Sequence, residues 1–298
     1  MQTLPSVKLN DGNSIPTLAY GTGTAWYKSP SDPLSDSLIT SIKTAVSLGY
    51  THLDCAEVYN TEPEVGRALT FLSLPRSSLY ITTKVNQSIA DVPAALKASL
   101  SRLGLEHVDL FLIHQPFFAA ASSPSAEAEA LQRAWAGMEA VQREGLASSI
   151  GVSNYLPHHL TATLETATVV PTVNQIEYHP YLQHAPELLD LHRKHGIVTA
   201  AYAPLTAVTK AAPGPVDAVY ERLADKYAVN AGQVALRWVL DQGMVAVTTS
   251  GKEERMKEYL AALEFALTDE EVGEISDEGR KKHFRGFWTH KFDKDDRS

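Results

Sequence analysis

Four residues far apart in the chain have side chains suited to proton transfer: Asp54, Tyr59, Lys84 and His114. The first two fall within "GYTHLDCAEVYNTEPEVG" (49–66), where an apolar run ends in an aspartate, a glutamate and a tyrosine. A phenol, with an ordinary pKa near 10, gives up its proton poorly at neutral pH unless a nearby cation stabilises the phenolate. Lys84 is the candidate cation, and Asp54 the carboxylate that would hold its charge. Each unit of pKa lowering is worth roughly 1.4 kcal/mol, so one close ion pair in a low-dielectric site is enough for a shift of about two or three units. A neutral His114 would hydrogen-bond a carbonyl oxygen and orient it. Taken singly, a strand-end aspartate is usually a turn residue and a strand-end lysine usually faces water. It is their joint appearance that points to chemistry.

Such residues need a scaffold that brings strand ends together. Strand-like runs recur at "TLAYGTG", "THLDCA", "SLYITTK", "VDLFLIH", "SSIGVSN", "TVNQIEY", "IVTAAYA" and "MVAVTTS", rich in β-branched and aromatic residues. Helical spacing fills the intervals at 38–48, 62–72, 92–103, 126–144, 156–167, 185–194, 216–242 and 252–262. About eight strand-helix units predict a (β/α)8 barrel forming a single domain over 1–298, with catalytic groups at the C-terminal strand ends. A short hairpin is expected around Asn10–Asn13, and "AASSPSAEAEA" (120–130) reads as a loop entering a helix. The competing open doubly wound sheet would carry G-x-G-x-x-G, but Gly21-Thr22-Gly23 lacks the third glycine.

The composition suits an ordinary globular chain: 298 residues, 44% hydrophobic, formal charge -9 and pI near 5.7. That charge opposes a broad grip on nucleic acid or acidic membranes, leaving room only for a small anion pocket. Cys55 is the only cysteine, so an intrachain disulfide and a cysteine-rich zinc site are excluded. No stretch reads as a signal or a membrane span, which predicts a cytoplasmic protein. No long heptad is visible, which predicts a monomer. A metal-dependent hydrolase using His52, Asp54 and His114 is a rival reading, because His52 and Asp54 share one strand face. It leaves Lys84, Asn154 and Gln175 without a role, and no metal is expected.

"GYTHLDCAEVYNTEPEVGRAL", "GVSNY", "VNQIEYHPYLQ", "AYAPL" and "VTTSGKEERMKEYL" together resemble, in order, the motifs of the aldo-keto reductase family. The resemblance implies NADPH or NADP+ bound extended across a barrel mouth, and a catalytic tetrad of Asp54, Tyr59, Lys84 and His114. It also implies that Ser153, Asn154 and Gln175 hold the carboxamide and that Tyr202 stacks on the nicotinamide. Gly21, Thr22, Gly23, Thr24, Ala203, Pro204 and Leu205 would approach the cofactor. Thr248, Thr249, Ser250, Lys252 and Arg255 would meet its phosphate end, with Thr249 where the family commonly has lysine and Tyr259 where asparagine is common. Trp26, Gln115, Phe117, Phe118 and Trp288, together with Phe287, would line the substrate pocket. The threonine pair and the aromatic tail are most similar to the fungal branch of conjugated polyketone and α-keto amide reductases, which implies activated dicarbonyl or aldehyde substrates. A barrel that binds NADPH as a redox sensor without turnover is the alternative.

Overall fold

The computed structural model describes residues 4–119 and 123–298. Two short strands, β1 (Ser6–Lys8) and β2 (Ser14–Pro16), pair antiparallel across the Asn10–Asn13 turn. Leu9 and Ile15 of this hairpin join Leu110, Leu112, Val173, Ala200 and Val245 in one apolar cluster. The hairpin therefore plugs the end from which the barrel strands start, and hydrophobic burial holds it there.

Eight parallel strands close the barrel: β3 (Leu18–Gly21), β4 (His52–Asp54), β5 (Tyr80–Val85), β6 (Val108–Ile113), β7 (Ala147–Ser153), β8 (Val173–Glu177), β9 (Val198–Tyr202) and β10 (Val245–Thr248). β10 pairs with both β9 and β3, so no edge is left open. Side chains alternate along a strand. On β6, Leu110 and Leu112 enter the interior cluster while Phe111 and Ile113 enter the core beneath the helices. The same parity sends Asp54, Lys84, His114, Gln175 and Tyr202 towards the interior at the strands' C-terminal ends, where the mouth of such a barrel lies.

The helices are α1 (Asp36–Leu48), α2 (Glu62–Leu72), α3 (Val92–Leu103), α4 (Pro124–Arg143), α5 (Pro157–Leu164), α6 (Pro186–His195), α7 (Asp217–Tyr227), α8 (Ala231–Leu240), α9 (Glu253–Ala261) and α10 (Asp269–Arg280). The single helix expected over 216–242 is two. Ala228 turns left-handed at φ +54, and Asn230 restarts the chain with a reciprocal cap: its side chain accepts the Gln233 N–H while Gln233 accepts the Asn230 N–H. α10 was not anticipated either, although Thr268 and Glu271 form the same kind of cap. Of the loop expected at 120–130, residues 120–122 lie outside the described residues; Ser123 caps α4 and the helix runs from Pro124. Among the described residues no helix is long and apolar enough to cross a membrane.

Candidate active site

Tyr59 ends a short 3-10 turn, Glu57–Tyr59, that follows β4 and stops at Asn60, which is left-handed at φ +57. Glu57 is part of the answer to why charge follows an apolar strand. Its carboxylate accepts the backbone N–H groups of Asn86 (2.8 Å) and Ser88 (3.3 Å) and the Ser88 hydroxyl, tying this turn to the segment after β5. Gly23 is required beside it: a Cβ there would come within 2.7 Å of the Tyr59 ring. Tyr59 is thus wedged between two loops.

Asp54 and Lys84 are both buried, with Lys84 Nζ donating to Asp54 Oδ1 at 2.5 Å and to the Cys55 carbonyl at 2.9 Å. Gln175 Nε2 donates to the other carboxylate oxygen at 2.8 Å. Lys84 Nζ lies 5.2 Å from the centre of the Tyr59 ring. Burial would lower the lysine's pKa, but the Asp54 carboxylate, together with Tyr59 and Cys55, overrides it and the net shift is upward, so the ammonium is kept. For Tyr59 burial is the largest influence and raises the pKa, while Lys84 pulls the other way. The expectation of an acidified phenol is not met: desolvation outweighs the lysine, and the net shift of Tyr59 is upward, so it holds its proton.

His114 Nε2 stands 3.5 Å from the Tyr59 hydroxyl, and its ring meets the phenol edge to face at 5.4 Å. Burial, aided by the Lys84 charge, pushes its pKa well below 6.5, so the imidazole is neutral. Among the described residues its buried Nδ1 meets no partner, nor does Gln115 Oε1; Gln115 Nε2 donates to Asn86 Oδ1 at 2.8 Å. The structure thus brings Asp54, Tyr59, Lys84 and His114 into one cluster. It does not assemble His52 with them as a ligand set, because His52 Nε2 pairs with Thr82 Oγ1 at 2.8 Å and Nδ1 faces the Pro16 carbonyl. Asp54 is likewise engaged by Lys84 and Gln175.

Around this cluster the polar strand ends are linked. Ser153 Oγ donates to the Gln175 carbonyl (2.7 Å), Asn154 Nδ2 donates to the His114 carbonyl (2.9 Å), and the Tyr202 hydroxyl donates to Asn154 Oδ1 (2.7 Å). Asn154 and Ala203 are both left-handed, at φ +62 and +54, as strained loop residues near functional sites often are. Pro204 is buried and Leu205 half-buried just beyond. Thr22 is fully buried, its hydroxyl facing the Asp54 carbonyl and the Thr61 hydroxyl, so its side chain braces the strand end.

At the start of α9, Ser250 Oγ accepts the Lys252 N–H at 3.0 Å, and Thr248 is buried below. Lys252 and Arg255 are exposed, and among the described residues no carboxylate pairs with either. Two free cations at a helix start suit a phosphate. Together with the glycine-lined approach to Tyr59 and the linked amides beside Tyr202, this donor set fits a phosphorylated nicotinamide dinucleotide.

The aromatic residues divide differently from expectation. Trp26 Nε1 donates to Thr249 Oγ1 at 3.1 Å and its ring lies over Gly251, so its indole is turned to the segment that leads into α9. Its neighbour Tyr27, 56% exposed, meets the Tyr59 ring edge to face at 6.2 Å. Thr24, left-handed at φ +50, begins the short turn through Trp26. Phe117 stands 5.2 Å from Trp288, and Phe287 meets Tyr202 edge to face at 5.2 Å. Phe118 packs against the core under the helices. Glu177, which sequence reasoning passed over, is a buried carboxylate two residues beyond Gln175 and on the same strand face. One further step of the strand alternation would have found it.

A closed parallel barrel whose mouth gathers a phenol, an ammonium-carboxylate pair and a neutral imidazole is built to exchange a proton with a substrate oxygen. The comparisons with known proteins agree. The family model described as "Aldo/keto reductase family" matches residues 17–278, and the chain belongs to that family. It is 38% identical to the NAD/NADP-dependent indole-3-acetaldehyde reductase of Schizosaccharomyces pombe, over 94% of this chain and 97% of that protein. Identity is also 38% to the NADPH-dependent alpha-keto amide reductase of Saccharomyces cerevisiae, over 96% and 95%. Among solved structures, a Bombyx mori aldo-keto reductase in complex with NADP superposes with a TM-score of 0.81 at 33% identity, covering 93% of each chain. The expected fold, the enzyme class and its NADP-type cofactor accord with these relatives.

Proposed function

We propose that this chain reduces activated carbonyl compounds with NADPH: α-dicarbonyls, α-keto amides and esters, ketopantoyl lactone-like compounds, or aldehydes. The observation that carries the reading is the placement of Tyr59 between His114, 3.5 Å from its hydroxyl, and the buried Lys84–Asp54 pair. When bound, the cofactor supplies a hydride to the carbonyl carbon. His114 orients the substrate oxygen as a neutral hydrogen-bonding group, and Tyr59 donates its hydroxyl proton to that oxygen. As the phenol takes on negative charge, Lys84 meets it with an ammonium already fixed by Asp54. The cation's stabilisation therefore grows towards the transition state, where it accelerates the reaction.

Gln175, by holding Asp54, keeps that carboxylate from turning away. Ser153, Asn154 and Gln175 would hold the carboxamide, Tyr202 would support the ring, and Lys252 and Arg255 would bind the 2'-phosphate. The tail aromatics and Tyr27 would enclose the substrate. The two fungal reductases named above support this substrate class. The purified protein should consume NADPH with α-keto esters, methylglyoxal or an aromatic aldehyde, and should prefer NADPH over NADH. NADPH binding with no oxidation across that panel would instead favour the sensor reading.

A further inference from the structure

The chain beyond α10 returns to the barrel mouth, and one buried carboxylate receives it. Glu177, the last residue of β8, is 2% exposed. Its Oε1 accepts the Gly286 N–H at 2.7 Å, and its Oε2 accepts the Phe287 N–H at 3.0 Å. His179 Nε2 donates to Oε1 at 3.1 Å, bracing the carboxylate from within its own loop. Position 286 is tightly packed, since a Cβ there would lie 3.1 Å from Glu177 Oε1. Arg285 secures the rest of the tail, with Nη2 donating to the Ser298 carbonyl and its guanidinium 3.9 Å from the Phe292 ring centre. Two charge-assisted bonds from consecutive amides fix both the position and the direction of the backbone. The residues placed in this way are Phe287, against Tyr202, and Trp288, left-handed at φ +58 and against Phe117.

We propose that Glu177 is a positioning residue for substrate selection: by clamping the 286–287 backbone it builds the tail wall of the pocket, which favours carbonyl substrates carrying an aromatic or long apolar group. The proposal rests on the carbonyl-reductase reading. Glu177 itself touches no reacting atom. Its effect is to give Phe287 and Trp288 one geometry, so a large substrate meets a preformed apolar wall and does not have to order the tail on binding. A small dicarbonyl carries no such group and gains little from the wall.

The test compares full-length protein, Glu177→Gln, a chain ending at Arg285, and Glu177→Gln within that shortened chain. An aromatic α-keto ester and methylglyoxal serve as substrates. Glutamine replaces one of the two acceptor oxygens with an NH2 donor, which would face a backbone N–H donor. Relative to full-length protein, Glu177→Gln and the shortened chain should each lose roughly tenfold more kcat/KM on the aromatic ester than on methylglyoxal, mainly through KM. Adding Glu177→Gln to the shortened chain should change that ratio no further, because the clamp has nothing left to hold. Trypsin should also cut the intact variant at Arg285 or Lys291 faster than it cuts full-length protein. Equal losses on both substrates, a full additional loss in the combined variant, or unchanged tail cleavage would each overturn the proposal. Full-length protein reducing neither compound would overturn the reductase reading, and the selective role with it, whatever the protease shows.

Discussion

Tyr59 keeps its proton because desolvation of the phenolate outweighs the attraction of Lys84, and that is the state a proton donor needs before reduction begins. Lys84 in turn is tolerable at zero exposure only because Asp54 lies 2.5 Å away and the Cys55 carbonyl takes a second ammonium proton. Removing one partner of such a pair strands a buried charge. Lys84→Met should therefore lose about 3–5 kcal/mol in urea unfolding, and adding Asp54→Asn should recover much of that loss; a single variant as stable as the parent would show that the pair carries no such load. These residues were legible in the sequence because strand alternation fixes which way Asp54, Lys84 and His114 face. Trp26 and Tyr27 were not, because a loop has no such period. A left-handed Thr24 followed by a tight turn directs the indole to Thr249 and the neighbouring tyrosine to the site.

At the scale of elements, the strand-helix units were readable from hydrophobic period, and α2 and α3 match their expected limits. The break between α7 and α8 was missed because Ala228 is a good helix former, and the pattern of apolar residues runs through it. Its left-handed backbone ends α7, with its N–H turned back to the Ala224 carbonyl, two residues before the Asn230–Gln233 cap restarts the chain. A residue with a Cβ is disfavoured in that conformation. Ala228→Gly should raise stability by about 0.5–1 kcal/mol in urea unfolding; destabilisation would mean that the Ala228 methyl group contributes more through contacts than its backbone costs. Elements also explain Glu177. The carboxylate lies on β8, but its partners come more than a hundred residues later, a pairing that no local pattern reveals.

For the whole molecule, the histidines that burial keeps neutral set the response to acid. Burial lowers His52 and His184 to about 4, and His159 and His192 to about 3. In the unfolded chain each returns to about 6.5, so below that pH the unfolded state binds more protons than the folded one. Their stabilising contribution is complete above pH 6.5 and is lost as the pH falls towards 4 and 3. The melting temperature should drop by about 5 °C or more between pH 7 and pH 5; a flat profile would show that these imidazoles protonate without unfolding. The barrel itself was legible as a whole, since eight recurring strands with helices between them leave few other arrangements.

Carbonyl reduction here rests on the proton that Tyr59 gives up, and Tyr59→Phe puts that role to the test, with NADPH affinity and carbonyl reduction measured on the same preparation. NADPH should bind the variant with a dissociation constant within about threefold of the parent's, while kcat falls roughly a hundredfold to ten-thousandfold. Reduction at the parental rate by a variant that still binds NADPH would contradict that role.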